Sequence, residues 1–164
     1  MIIRAPRPED AADITQTMAQ PICYGNTLQM PHPTEQMWRE RLANKPDNLH
    51  VLVVEVEGRV VANGGLELMA SPRRRHVANM GMAVHPEFHA RGVGSALLAA
   101  LLELADNWLA LRRIELEVYS DNEAALGLYR KHGFEVEGTA RDYAFRDGRY
   151  VDALLMARIR TPDS

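Results

Sequence analysis

The stretch ARGVGSALL, Ala90–Leu98, opens a long apolar-periodic segment with two glycines, Gly92 and Gly94, at its head. Glycine is a poor helix former, so its use here points to a sharp bend or to something that must come close to the backbone. From Gly92 to Trp108, the residues Val93, Leu97, Leu101, Leu104 and Trp108 fall on one stripe, and Ala96, Leu98, Ala100 and Leu102 widen it. That period predicts a deeply packed helix over Gly92–Trp108. Just before it, Val77–Val84 reads as a strand ended by Pro86. A strand, a glycine turn and a helix start together make a place for an anion. The first-turn amides have no partner within the helix. The helix dipole adds partial positive charge there. Phosphate or pyrophosphate is the natural guest; a turn that uses glycine for its shape alone is the alternative.

Reading outward, Ile2–Ala5 is a short strand and Glu9–Ala19 a helix with Pro8 at its start and acids in its first turn. Pro21 ends that helix, and Ile22–Pro33 reads as irregular. Thr34 can cap a helix through Ala43. His50–Val56 and Arg59–Met69 form a hairpin about Glu57-Gly58. Beyond the long helix, Arg113–Tyr119 alternates Ile114, Leu116 and Val118 with Glu115, Glu117 and Tyr119, which predicts a half-buried strand. Asp121 or Asn122 caps a helix through His132, stopped by Gly133. Thr139–Arg146 and Arg149–Ile159 flank the turn Asp147-Gly148 as two last strands. The order β α α β β β α β α β β predicts an α/β (α+β) fold: a mixed sheet of about seven strands covered by about four helices, rather than a doubly wound one.

The whole chain sets bounds on function. At 164 residues, the chain has the usual length of one domain and is read as a single domain over 1–164. Apolar residues make up 46%, enough for a real core. The formal net charge of −3 provides no global field for nucleic acid. The single cysteine, Cys23, builds neither a disulfide framework nor a zinc cluster, which suits a cytoplasmic location. A packed thiol is the expected role for it. The start, MIIRAPRPED, lacks the pattern of a signal peptide, and no uncharged apolar run approaches a membrane span.

Familiar nucleotide motifs fail at the glycine turn. A dinucleotide fingerprint needs a third glycine three residues after Gly94, and that position is Leu97. A phosphate-binding loop of the Walker kind needs a lysine followed by serine or threonine, and none follows. A second constellation decides the matter: Asn122, Ala125, Tyr129, Gly133 and Phe134 in SDNEAALGLYRKHGFEVEG. Together with Met82-Ala83-Val84-His85-Pro86 and His89-Ala90-Arg91-Gly92-Val93-Gly94, this helix resembles the GNAT superfamily of acetyl-CoA-dependent N-acetyltransferases. The element order matches that family's fold along nearly the whole chain. Gly138, Asp147-Gly148, Asp152 and Met156 resemble bacterial members that act on small amines, amino acids and protein N-termini. With Asn26-Thr27-Leu28-Gln29 and Pro31-His32-Pro33, the chain looks most like the bacterial L-amino acid N-acyltransferase subgroup.

The resemblance implies a GNAT-like, mostly antiparallel sheet and acetyl-CoA as cosubstrate. It places pyrophosphate on the backbone amides of Arg91 to Ser95, beside His89 and Ala90. His89 stands where relatives usually carry Gln or Arg, so Arg91 is the expected source of charge. The pantetheine arm is expected to pair with Met82, Ala83 and Val84 like an added strand. Gly81, inside that strand, suggests a bulge that splays it from Arg113–Tyr119, or a close backbone approach at a crowded packing site. Asn122 is expected to cap its helix and hold the arm. Tyr129 matches the family tyrosine that protonates the departing thiolate. Glu117 stands where some N-terminal acetyltransferases of the superfamily place a glutamate working through water. An amide at Asn79 cannot serve as base; Glu67 and His76 are further candidates. Asn26, Thr27, Leu28 and Met30 are the expected acceptor contacts, and Met80 and Met82 line the acyl pocket or fill the core.

The expected activity is transfer of acetyl to a small amine, foremost the α-amine of a free amino acid. Protein N-terminal or antibiotic acetylation, or a non-catalytic CoA-binding module, are the alternatives. The expected partners are a small-molecule amine and a second copy in a homodimer, with no nucleic acid, membrane or metal. Arg73-Arg74-Arg75 reads as a solvated turn. His85 and His89 lack the carboxylates that would complete a metal site.

Overall fold

The computed structural model describes residues 1–161. Seven strands form one sheet: β1 (Ile2–Arg4), β2 (Leu49–Val56), β3 (Arg59–Leu68), β4 (Val77–Val84), β5 (Arg113–Tyr119), β6 (Glu135–Arg146) and β7 (Arg149–Ile159). Their spatial order is β1-β2-β3-β4-β5-β7-β6. Every pairing is antiparallel except β4 with β5, which run parallel. The expected mixed, mostly antiparallel sheet is therefore present.

Among the described residues, five α-helices cover the sheet: α1 (Ala11–Met18), α2 (Pro21–Gly25), α3 (Glu35–Ala43), α4 (Val93–Asn107) and α5 (Glu123–Lys131). The short α2 falls where an irregular segment was expected. Pro21 starts this helix instead of only ending the one before, because proline at the first helical position loses no hydrogen bond. Thr34 caps α3 by accepting from the Met37 N–H at 3.2 Å.

Alternation along the strands sorts the core into two faces. On one face α4 buries Leu97, Leu98, Leu101 and Ala105 against Val54, Ala62, Leu66, Ala78 and Met80, with Leu116, Val118 and Tyr129 in the same cluster. On the other, Ile14, Met18 and Cys23 pack on Val53, Val60 and Ala83, under Trp38 and Leu42. Gly64 lets α4 sit close: an added Cβ would stand 3.0 Å from Met82 Cβ and 3.1 Å from Leu101 Cδ1.

The one parallel seam is short. It consists of Val77↔Arg113, Ala78↔Ile114 and Asn79↔Glu115, after which the strands part. The expected bulge at Gly81 is absent, since β3 and β4 keep an unbroken register from Ala62↔Val84 to Leu68↔Ala78. The splay comes from β5 leaving, not from a kink in β4. Gly81 is not crowded either, as an added Cβ meets nothing within 4 Å.

Candidate active site

The fork between β4 and β5 opens a cleft of about 520 Å³. Its floor is set by strand polarity. The His85 N–H donates to the Val61 carbonyl at 2.8 Å, so the odd-numbered residues of β4 direct their backbone groups to β3. Met82 and Val84, by alternation, direct theirs into the fork. Two groups already occupy the Val84 carbonyl: Cys23 Sγ at 3.3 Å and His89 Nε2 at 2.9 Å. The Met82 N–H and C=O and the Val84 N–H remain as a free strand edge.

At one end of the cleft stands the start of α4. Ala90 and Gly92 are left-handed, with φ of 60° and 78°, and turn the chain sharply into the helix. The first intrahelical bond runs from the Ala96 N–H to the Gly92 carbonyl at 3.0 Å. The amides of Val93, Gly94 and Ser95 therefore lack helical partners. Gly92, Gly94, Ser95, His89 and Ala90 line the cleft, whereas the Val93 side chain is buried in the core. Arg91 is not among the lining residues; its guanidinium lies 5.2 Å from the Phe88 ring centroid. A carbonyl only accepts, so His89 donates from Nε2 to Val84, and that nitrogen is committed to shaping the floor. Ser95 Oγ lies 3.3 Å from His132 Nε2, which links α4 to the end of α5.

The far wall is α5. Asn122 caps it by accepting from the Ala125 N–H at 3.3 Å and also lines the cleft. Tyr129 is only 8% exposed, its ring edge-on to Phe134 at 5.7 Å. Its hydroxyl is not an orphan sealed in the core, and the residue lines the cleft. Burial pushes the Tyr129 phenol up to about 12, so it is a proton donor and not a phenolate at neutral pH.

Glu117 enters from the opposite sheet face. Leu116 and Val118 belong to the α4–α5 core, so Glu117 points away from it, toward the side covered by α1 to α3. Glu117 is among the cleft-lining residues, and its carboxylate accepts from Asn79 Nδ2 at 3.1 Å on both oxygens. Tyr129 and Glu117 thus flank the fork from opposite faces. Glu115 is occupied: it pairs with Arg113 Nε at 2.8 Å and Arg74 Nη2 at 3.0 Å. Arg74 reaches the sheet from a turn in which Arg73, Arg74 and Arg75 are all exposed, as the solvated reading of that turn expects. Glu67 and His76 do not line the cleft, nor does Met80, which is buried in the core; Met82 does.

The roof is α2 and the turn after it. Ile22, Cys23, Asn26 and Thr27 line the cleft. Both ends of the Asn26 amide are engaged, Nδ2 with the Ile22 carbonyl at 2.9 Å and Oδ1 with Arg146 Nη1 at 3.3 Å. Thr27 Oγ1 donates within the same turn, and the Thr27 carbonyl accepts from Tyr119 Oη at 2.8 Å. Leu28 and Met30 lie outside the lining and are 68% and 76% exposed. Burial pushes the Cys23 thiol up to about 11, so it is a packed group and no nucleophile.

Residues that the sequence did not single out stand behind the roof. Arg146 donates to the Gly25 carbonyl and Asn26 at 3.3 Å each, pairs with Asp121, and lies 5.3 Å from the Tyr119 ring centroid. Tyr143 reaches back over β7 to Tyr119, with ring centroids 6.3 Å apart. It can do so because β6 bulges between Ala140 and Ala144, where Asp152 Oδ1 accepts from the Asp142 N–H at 2.9 Å. Among the described residues, no three His, Cys, Asp or Glu side chains converge on a metal site, and no helix is long and apolar enough to cross a membrane.

With this geometry in place, known proteins give a consistent comparison. Residues 17–134 match the model of the acetyltransferase (GNAT) family. The L-amino acid N-acetyltransferase AaaT of Escherichia coli (strain K12) is 46% identical over 160 residues, 98% of each chain. The crystal structure of a ribosomal-protein-alanine N-acetyltransferase from Brucella melitensis superposes with a TM-score of 0.86 at 26% identity, covering 98% of this chain and 100% of that one. A phosphinothricin acetyltransferase from Sinorhizobium meliloti, solved in complex with AcCoA, shares the fold with a TM-score of 0.85 at 22% identity, over 96% and 87% of the two chains.

Proposed function

Since this chain belongs to the acetyltransferase (GNAT) family and is an N-acetyltransferase, we propose that it moves acetyl from acetyl-CoA to the α-amine of a free amino acid by direct attack. The observation that carries this reading is the fork: a free strand edge, orphan helix amides and the oppositely placed side chains of Tyr129 and Glu117 meet in one cleft. The match to an L-amino acid N-acetyltransferase over nearly the full chain supports the substrate class.

The residues present fit acetyl-CoA. The amides of Val93, Gly94 and Ser95 would hold the pyrophosphate, where glycine leaves room and the dipole favours negative charge. The Met82 and Val84 backbone edge would pair with the pantetheine arm, with Asn122 at the other wall. When bound, the cosubstrate supplies the thioester carbonyl. Glu117 takes the proton from the incoming amine through water, and the Met82 N–H would polarise the carbonyl. The new N–C bond forms as the C–S bond breaks. Tyr129 donates its proton to the departing sulfur, and the products are the N-acetylated amine and the free thiol of CoA.

The base need not be strong. An α-amine with a pKa of about 7.8 is roughly a tenth neutral at pH 7, whereas a lysine amine near 10.4 is neutral in less than about a thousandth of molecules. A water-mediated carboxylate therefore suits α-amines. The experiment is thiol release with a panel of free amino acids, peptides sharing the same first residue, and aminoglycosides. At least one free amino acid is expected to exceed every peptide in kcat/KM. Peptides turned over far faster than all free amino acids would make the cleft an N-terminal groove instead.

A further inference from the structure

Two carboxylates stand on the same face of β5, two residues apart, and their partners differ in kind. Glu115 is held by two guanidiniums, Arg113 and Arg74. Burial pushes its carboxyl up, but the hydrogen bonds from Arg113 and Arg74 outweigh this and keep it below the ordinary carboxylate range. Such an acid is a poor place to leave a proton. Glu117 has no cation partner among the described residues. What it has is the Asn79 amide, with Nδ2 at 3.1 Å from each carboxylate oxygen. An amide nitrogen only donates, and turning the amide over would set its oxygen against two acceptors, so chemistry fixes its orientation.

Asn79 also occupies a position suited to this contact. It is the last β4 residue paired with β5, opposite Glu115, at the point where the strands part. Its side chain therefore spans the root of the fork to the next outward-facing residue of β5. We propose that Asn79 is a positioning residue, which aims the Glu117 carboxylate at the acceptor amine through a neutral donor rather than a cation. A guanidinium in the same place would fix the carboxylate equally well but favour its ionised form, as at Glu115. The inference rests on Glu117 being the base for the amine.

The test is a double-mutant cycle in the full-length protein, with the best amino acid acceptor and acetyl-CoA both saturating. Asn79→Ala is expected to lower kcat about tenfold, with the Kd of acetyl-CoA, read by calorimetry, within about twofold of the parent. In a Glu117→Gln background the same change is expected to cost less than about twofold, because no base is left to aim. Asn79→Asp keeps the size and removes the donor, and is expected to lose at least as much as Asn79→Ala. Thermal melts confirm folding, and Asn79→Ser replaces Asn79→Ala if the latter melts early. Full kcat in the Asn79 variants, or equal losses in both backgrounds, would overturn the clamp. If Glu117→Gln loses activity and Asn79→Ala does not, only the clamp falls. If Glu117→Gln keeps full kcat, the base assignment falls and the clamp with it.

Discussion

Replacing Tyr129 with phenylalanine removes one oxygen and its proton while leaving the ring packed against Phe134. Two separate magnitudes follow. A positioned general acid contributes on the order of 10²–10⁴ in rate. The Tyr129 phenol, pushed up to about 12 by burial, gives its proton less readily than a free phenol would. The lower end of that range is therefore expected: kcat falls by about a hundredfold, near 2.7 kcal/mol. The Kd of acetyl-CoA should stay close to the parent value, since the ring that lines the cleft is retained. The second magnitude concerns stability. Below about pH 10 the phenol is neutral in both the folded and the unfolded chain, and its contribution is complete. Between about 10 and 12 the unfolded chain ionises while the folded one does not, so stability is lost as pH rises. Over those two pH units the loss is on the order of a few kcal/mol. Tyr129→Phe should abolish that part of the alkaline loss. Single-turnover thiol release measures the first effect, and denaturant unfolding at pH 8 and pH 11 measures the second. Full kcat where chemistry limits the rate would remove Tyr129 from the acid role. An identical alkaline loss in parent and variant would refute the burial argument.

Gly94→Val should weaken acetyl-CoA binding at least about tenfold, near 1.4 kcal/mol in calorimetry. A Cβ there meets only ordinary contacts, Leu128 Cδ2 at 3.5 Å and Met82 Cε at 3.6 Å, so the fold survives while bulk is added beside the orphan amides. Unchanged affinity in a folded variant would contradict this. Gly64→Ala should destabilise by about 1–3 kcal/mol, because its Cβ would lie 3.0 Å from Met82 Cβ and 3.2 Å from the Gly81 carbonyl oxygen. A denaturant midpoint equivalent to less than about 0.5 kcal/mol of change would show that α4 yields more easily than its packing implies. Arg146→Ala cuts the roof free from Gly25, Asn26 and Asp121. It should raise the acceptor KM about five- to tenfold and leave acetyl-CoA affinity unchanged; an effect confined to acetyl-CoA would place Arg146 wrongly.

What the sequence disclosed depended on how local each signal was. The strict alternation of Arg113–Tyr119 placed β5 with no error at either end, and the leucine stripe placed α4 to within a residue. The start of β6 was missed by four residues, because two register shifts, at Val136/Gly138 and Ala140/Ala144, erase the alternation that marks a strand. The prolines around Ile22 were read as breakers, although Pro21 opens α2. At the site, the glycine turn and the Asn122–Tyr129 spacing were legible because each lies within one element. Asn79 on Glu117 and Arg146 on Asn26 were not. Those contacts join residues 38 and 120 positions apart, and nothing in either neighbourhood announces its partner. Asn26 and Thr27 came to the cleft with their side chains already engaged by the turn itself, whereas Leu28 and Met30 did not come to the lining at all.

With three residue pairs joining β4 to β5, the hydrogen-bond ladder of the sheet divides into two parts, β1–β4 and β5–β7, that share one short rivet line. Backbone amides on the open side of that edge, Met82 and Val84 among them, have no ladder to protect them and should exchange hydrogen with solvent far faster than those of β3. A guest that pairs along the edge lengthens the rivet line. Hydrogen exchange at the fork then becomes a direct gauge of occupancy, slow when filled and fast when empty. If the cosubstrate pairs there as proposed, each catalytic cycle would stiffen the molecule across its middle and release it again, with exchange at Met82 and Val84 as the readout.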